Sequence, residues 1–223
     1  MKDKIIVYQG VEGAYSHLAC NKLFPDSILK AKNSFYESMQ AVEKEEADFA
    51  VIPIENSSAG RVEEIYKLIP KMKLNIIGEH FQPIKHTLLA CKGVKKEELK
   101  TVFSHPQALA QCTNNIKKLN LEPIPKFDTA GSAKELQQTR EKTHGVIASS
   151  MSAEIYDLEI LDENFADYEG NVTRFIILSK TLYSSLIASI GLMAIALYAG
   201  ANPATNPKRA KIKTVPMANQ NEI

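Results

Sequence analysis

Hydrophobic and polar positions along this chain switch repeatedly between two periods. Short β-branched or apolar runs, such as Ile5-Ile6-Val7-Tyr8, Phe49-Ala50-Val51-Ile52, Ile76-Ile77, Val102-Phe103 and Val146-Ile147-Ala148, read as buried strands. Between them, residues 17–24, 34–44 and 62–69 carry helical spacing, 106–112 reads as a further helix, and 94–100 and 150–156 as short helices, the first of them charged. Ser34, with Glu37 three residues on, predicts a capping box, and Phe35, Met39 and Val42 then mark one apolar face. Pro106 suits a first helical position, with Ser104 or His105 as its cap. Residues 27–30 predict a weaker strand, and 121–126, with two prolines, an edge strand or loop. An acidic, loop-like stretch over 162–170 precedes a last strand over 171–179. Strand and helix in alternation predict an α/β fold with mostly parallel sheets, which binds ligands beyond the strand ends.

One stretch organises this pattern. Val51-Ile52-Pro53-Ile54 reads as the end of a parallel strand, and Glu55 to Gly60 as a turn into the helix over 62–69. Such a turn would leave backbone N–H groups pointing outward, where an anion could bind. The chain repeats the device. Helix starts near Gly13, Asn56, Gln107 and Thr129 predict one anion-binding cleft between two lobes.

Composition narrows the partners. The 223 residues carry 27 basic and 26 acidic side chains, a formal charge of +1, which argues against a general nucleic-acid binder. Cys20, Cys91 and Cys112 are odd in number and far apart, and Met1-Lys2-Asp3-Lys4 is no secretory leader. Together these predict a reducing, cytoplasmic compartment with cysteines as small buried filler. No His/Cys pair has ligand spacing, so no metal site is expected.

Four motifs resemble the prephenate dehydratase catalytic domain: Gly10-Val-Glu-Gly-Ala-Tyr-Ser16, Ile52-Pro-Ile-Glu-Asn-Ser57, Ser104-His-Pro-Gln-Ala-Leu109 and Asn171-Val-Thr-Arg-Phe175. Their order and spacing extend the likeness over about residues 4–180. The resemblance implies a two-lobed α/β fold like type II periplasmic binding proteins, with lobe 1 over about 1–79 and 165–180 and lobe 2 over 80–164. It implies a lyase that converts prephenate to phenylpyruvate, CO2 and water, driven by aromatisation, with no cofactor. It further implies Thr173 as the catalytic hydroxyl serving the leaving group, with Asn56 and Gln107 as amide donors. The substrate-binding set would comprise Ala14, Tyr15, Glu55, Ser57, Ser104, Thr129, Ala130, Arg174 and Phe175. Within that set, Glu55 reads as an acceptor orienting Asn56 or a backbone N–H, and Arg174 either as a carboxylate fork or as a brace of the cleft. His105 reads as a cap, and His86 and Lys85 as part of an extended crossing between lobes. The reading from another class is a non-catalytic sensor that clamps a small anion on the same fold.

Members of this family usually continue into a phenylalanine-binding ACT region, and nothing resembling it follows here. Residues 182–201 are instead uncharged and mostly apolar, with Tyr183 and Tyr198 near the ends and a basic Lys208-Arg209-Ala210-Lys211 beyond. As a helix they would span about 30 Å, the thickness of a bilayer core. The expectation is an apolar C-terminal helix. It is either a membrane anchor or an incidentally apolar replacement tail over 181–223, able to seek a membrane or a second copy of the chain as a homodimer.

Overall fold

In the computed structural model, residues 3–181 are described, and the predicted helix over 182–201 lies outside them. Two separate hydrophobic clusters divide the described chain into two lobes. One gathers Val7, Met39, Val42, Ala50, Ile52, Ile65, Ile176 and Leu178. The other gathers Leu88, Leu89, Val102, Phe103, Leu136, Val146, Ile147 and Phe165.

Lobe 1 begins with β1 (Ile5–Gln9), α1 (Tyr15–Leu23), β2 (Ile28–Lys32) and α2 (Phe35–Glu43). Ser34 caps α2 by accepting from Glu37 N (3.1 Å), while the Glu37 carboxylate reaches back to Asn33 N rather than to Ser34 N. Met39 and Val42 are buried, as the helical spacing requires. The lobe continues through β3 (Phe49–Asn56), β4 (Gly60–Arg61), α3 (Glu63–Leu68) and β5 (Asn75–Pro83).

Lobe 2 holds β6 (Thr87–Ala90), β7 (Thr101–Ser104), α4 (Pro106–Ala110), α5 (Thr113–Lys118) and β8 (Glu122–Pro125). It is completed by α6 (Thr129–Thr139), β9 (His144–Ala148), α7 (Ser150–Ile155) and β10 (Glu159–Asp162). The charged stretch after Val94 forms only a 3-10 turn over Lys96–Glu98. β11 (Val172–Ser179) then returns to lobe 1.

The sheets are mixed, not mostly parallel. Sheet order in lobe 1 is β2-β1-β3-β11-β5, with β4 against β3. β1 pairs parallel with β2 and β3, but β11 runs antiparallel to both of its neighbours. In lobe 2 the order is β10-β6-β9-β7-β8, parallel only across β9-β7-β8. The reason is connectivity. β11 arrives from the other lobe instead of through a helix packed on its own sheet, so no βαβ crossover imposes a parallel direction.

The organising stretch is also a hairpin rather than a turn into a helix. Glu55 pairs with Arg61 and Asn56 with Gly60, and α3 starts only at Glu63. The chain crosses between lobes at Ile84–His86 and again before β11. The two crossings are tied by Ile84 N to Asn171 O and by Phe165 N to His86 O, both 2.8 Å. Among the described residues no helix is long and apolar enough to cross a membrane.

Candidate active site

A cleft of about 260 Å³ opens where the crossings meet the strand ends. Thr173, Asn56 and Gln107 line it, as do Ala14, Tyr15, Thr129 and Phe175. The other residues of the predicted set lie elsewhere. Ser104 is fully buried and donates to Ile147 O (2.6 Å), so it belongs to the lobe 2 core. Ala130 is likewise buried beneath the start of α6. Glu55 is exposed and accepts no side-chain hydrogen bond among the described residues, so it does not orient Asn56. Ser57 lines a second cavity that shares Gln111 and Asn171 with the cleft, and its hydroxyl accepts from Val172 N (2.9 Å). Arg174 follows Thr173 on β11, so strand alternation sends it to the other face. There it pairs with Glu79 (2.6 Å) and lies over Phe81. The Lys85 side chain is exposed and contributes only its carbonyl, which accepts from Tyr15 Oη (2.6 Å).

The wall around Thr173 is built from amides whose orientation can be read in order. Asn56 Oδ1 accepts from Ser58 N and Ala59 N, both 2.9 Å. Those are the backbone donors the sequence would have aimed at an anion; the asparagine takes them itself. Its Nδ2 is thereby turned toward Asn171 Oδ1 (2.7 Å) and Thr173 Oγ1 (2.8 Å). Asn171 Nδ2 then faces Gln111 Oε1 (2.8 Å), which also accepts from His86 Nε2 (2.7 Å). His86 Nδ1 closes the run against Tyr15 Oη (3.1 Å). One hydrogen-bonded chain therefore runs from Thr173 across both crossings to α1.

Three members of this chain carried no site role in the sequence reading: Gln111, Asn171, which only opened a motif, and His86, read only as part of the crossing between lobes. Gln111 stands four residues beyond Gln107 and shares its helical face, which was the available signal. The Gln107 side chain itself is exposed and makes no hydrogen bond among the described residues. Its backbone N–H donates to His105 Nδ1 (3.2 Å), the cap expected of His105.

Because Thr173 Oγ1 accepts from Asn56, its own proton is free to point into the cleft. Burial depresses the pKa of His86, against the opposing bond to Gln111, and burial raises that of Tyr15. Both are therefore neutral near pH 7. Burial also pushes the Cys112 thiol up to about 12, and Cys20 is buried with a raised pKa, so neither is a ready nucleophile. Among the described residues no group of His, Cys, Asp and Glu is placed to hold a metal ion.

Charge in the cleft is sparse. Among the described residues no lysine or arginine lines it, and Asp128 supplies the one carboxylate. Donors come instead from α1. Its N-cap Ala14 has no capping side chain, and the N–H groups of Tyr15 and Ser16 have no protein acceptor among the described residues.

The loop before α1 also joins the lobes. Gly13 O accepts from Ser149 Oγ (2.6 Å) and Ser152 Oγ (3.1 Å), and Glu12 O accepts from Tyr156 Oη (2.7 Å). Gly13 has φ +83°, and a Cβ there would come within 2.6 Å of Ser152 Oγ. Only glycine fits this approach.

A family model described as prephenate dehydratase matches residues 6–182. Arogenate dehydratase 2 of Petunia hybrida is 45% identical over 175 residues, covering 78% of this chain and 44% of that protein. Arogenate dehydratase/prephenate dehydratase 1, chloroplastic, of Arabidopsis thaliana is 43% identical, covering 78% and 45%. The chain thus spans less than half the length of these two relatives. Among solved structures, the prephenate dehydratase of Arthrobacter aurescens superposes with a TM-score of 0.74 at 28% identity, covering 79% of this chain and 60% of that one. The fold, the cleft motifs and these matches agree, and the chain belongs to the prephenate dehydratase family.

Proposed function

We propose that the cleft catalyses the decarboxylative dehydration of a prephenate-type cyclohexadienyl diacid. The observation that carries this reading is the Asn56–Thr173 hydrogen bond, in which the threonine oxygen accepts and its own proton is left free for a substrate. In the reaction the C–CO2 bond breaks and its electron pair enters the ring. The C–O bond at the opposite ring carbon breaks as its hydroxyl takes a proton and leaves as water. The products are the aromatic acid, CO2 and water, with one proton taken up per turnover.

A threonine hydroxyl is a weak acid, so its part is to hydrogen-bond the departing oxygen and pass a proton locally, not to hold one in reserve. Accepting from Asn56 polarises that hydroxyl and strengthens it as a donor. The N–H groups of Tyr15 and Ser16 suit a substrate carboxylate. Phe175, 1% exposed, presents an apolar floor for the ring. Holding the diacid so that its breaking bond aligns with the ring π system can supply several orders of magnitude. The three thiols are free and buried, which suits a reducing compartment.

The test is turnover by the full chain, with prephenate as substrate and phenylpyruvate as the measured product. Turnover that falls sharply in Thr173→Ala supports the reading. Tight binding of prephenate without any product would instead establish the sensor.

A further inference from the structure

We infer that Ser149, Ser152 and Tyr156 of lobe 2 are positioning residues for the reaction, acting through the loop that carries the start of α1 into the cleft. The inference rests on the dehydratase reading above, in which a substrate carboxylate meets that start. None of the three lines the cleft, so their effect on turnover passes through the loop.

The loop is held from both lobes. Gly10 and Gly13, at its two ends, have φ of +114° and +83°, so no side chain of theirs fixes it. Lobe 1 holds N–H groups: Gly10 N donates to Lys32 O and Gly13 N to His17 Nδ1, both 3.0 Å. Lobe 2 holds carbonyls. Ser149 Oγ and Ser152 Oγ both donate to Gly13 O, which fills its two lone pairs, and Tyr156 Oη donates to Glu12 O. These bonds bridge 136 to 144 residues of sequence. All three donors are buried, so losing the loop would strand them without water, and α7 therefore retains it. Burial also raises the pKa of Tyr156, whose hydroxyl keeps the proton it donates. Ala14, Tyr15 and Ser16 follow directly and line the cleft. Gly13 O belongs to the peptide unit next to the one bearing Tyr15 N–H, and because each unit is planar, moving the carbonyl moves that donor. Tyr15 Oη is tied in turn to Lys85 O in the crossing (2.6 Å). The body of α1 packs on lobe 1 through Ala19 and Cys20, yet its first turn is registered against lobe 2. A carboxylate held there is thereby placed relative to Gln107 and Thr129 of lobe 2 as well as to Thr173 of lobe 1.

The experiment measures steady-state kinetics of the full chain with prephenate. Tyr156→Phe keeps the buried ring and loses the donor to Glu12 O. Ser149→Ala combined with Ser152→Ala removes both donors to Gly13 O. KM should rise about threefold in the first and about tenfold or more in the second, with kcat within about threefold of wild type. The split is expected because N–H groups hold a carboxylate alike before and during the reaction. Val42→Ala is the control, a truncation in the lobe 1 core outside the cleft lining that destabilises without touching the loop. Its KM should stay at the wild-type value. Unchanged KM in the folded loop variants, a fall in kcat alone, or an equal rise in KM for Val42→Ala would overturn the inference. Should the double serine variant fail to fold, Tyr156→Phe decides alone. If the wild-type chain forms no phenylpyruvate, the dehydratase reading falls, and hydrogen exchange decides whether the loop answers to α7. Amides of residues 13–16 should then exchange faster in Tyr156→Phe relative to those of β3 and β9; an unchanged ratio refutes the positioning role.

Discussion

Asn56 Nδ2 lies 2.8 Å from Thr173 Oγ1, although 117 residues separate the two in the chain. The bond is made because β3 and β11 are antiparallel neighbours in register at this pair. Its direction is set by backbone N–H groups that hold the other end of the Asn56 amide.

Thr173→Ala should lower kcat by about 100- to 1,000-fold, the usual cost of a lost donor at a developing charge. Thr173→Ser should recover most of it. Asn56→Asp puts an acceptor where the donor stood and turns the threonine proton away from the cleft, so it should lose a similar factor. Steady-state kinetics with thermal melts on the same preparations check this; unchanged turnover in a folded Thr173→Ala protein would remove the threonine from the mechanism.

Gln111 and Gln107 should separate by phenotype. Gln111→Leu strands the donors of both His86 and Asn171 and should cost about 2–4 kcal/mol in urea unfolding. Gln107→Ala breaks no hydrogen bond among the described residues, so its stability should change by less than about 0.5 kcal/mol. Any effect of Gln107→Ala belongs in KM or kcat.

Gly13→Ala should destabilise by at least about 1–2 kcal/mol from its left-handed backbone alone. The clash with Ser152 adds to that. Placing Ser152→Ala beside it should recover only the part due to the hydroxyl, which a double-mutant cycle in denaturant would show.

Stability should fall as pH drops below about 6.5. Burial lowers the pKa values of His17, His80 and His86 from their ordinary 6.5 in the folded protein. Between those lowered values and 6.5 the unfolded chain binds more protons than the folded one, so stability rises with pH through that interval and is lost on acidification. Melting temperatures from pH 7.5 down to 5 should show the decline, and His86→Gln should flatten it. A melting temperature independent of pH would contradict the burial of these rings.

Arg174→Ala should leave kcat within about twofold, since the guanidinium faces away from the cleft. Its pairing with Glu79 is nearly half exposed on both sides, so the stability loss should stay below about 1 kcal/mol. A large kcat defect would show that the arginine reaches the substrate.

Local pattern by itself determined the elements that depend on neighbours in sequence. Ser34, Met39 and Val42 specify α2, and Pro106 with His105 starts α4, because capping and helical periodicity act within one or two turns. Four motifs in order, that around Thr173 among them, pointed to the family for a like reason: each is a contiguous string that can be read without the fold. β10 was missed because Glu159–Asp162 has little buried surface of its own and is ordered by its partner β6.

Tertiary structure alone decided the direction of β11, since the strand enters from lobe 2 and nothing near it in sequence records that path. It also decided the fate of the donors after Asn56, which a hairpin turned inward onto the asparagine. The amide chain from Thr173 through Asn171 and Gln111 to His86 was invisible beforehand for the same physical reason. Its members come from β3, β11, the residue that ends α4 and the two crossings, and each is an unremarkable polar residue until the crossings bring them within hydrogen-bond reach.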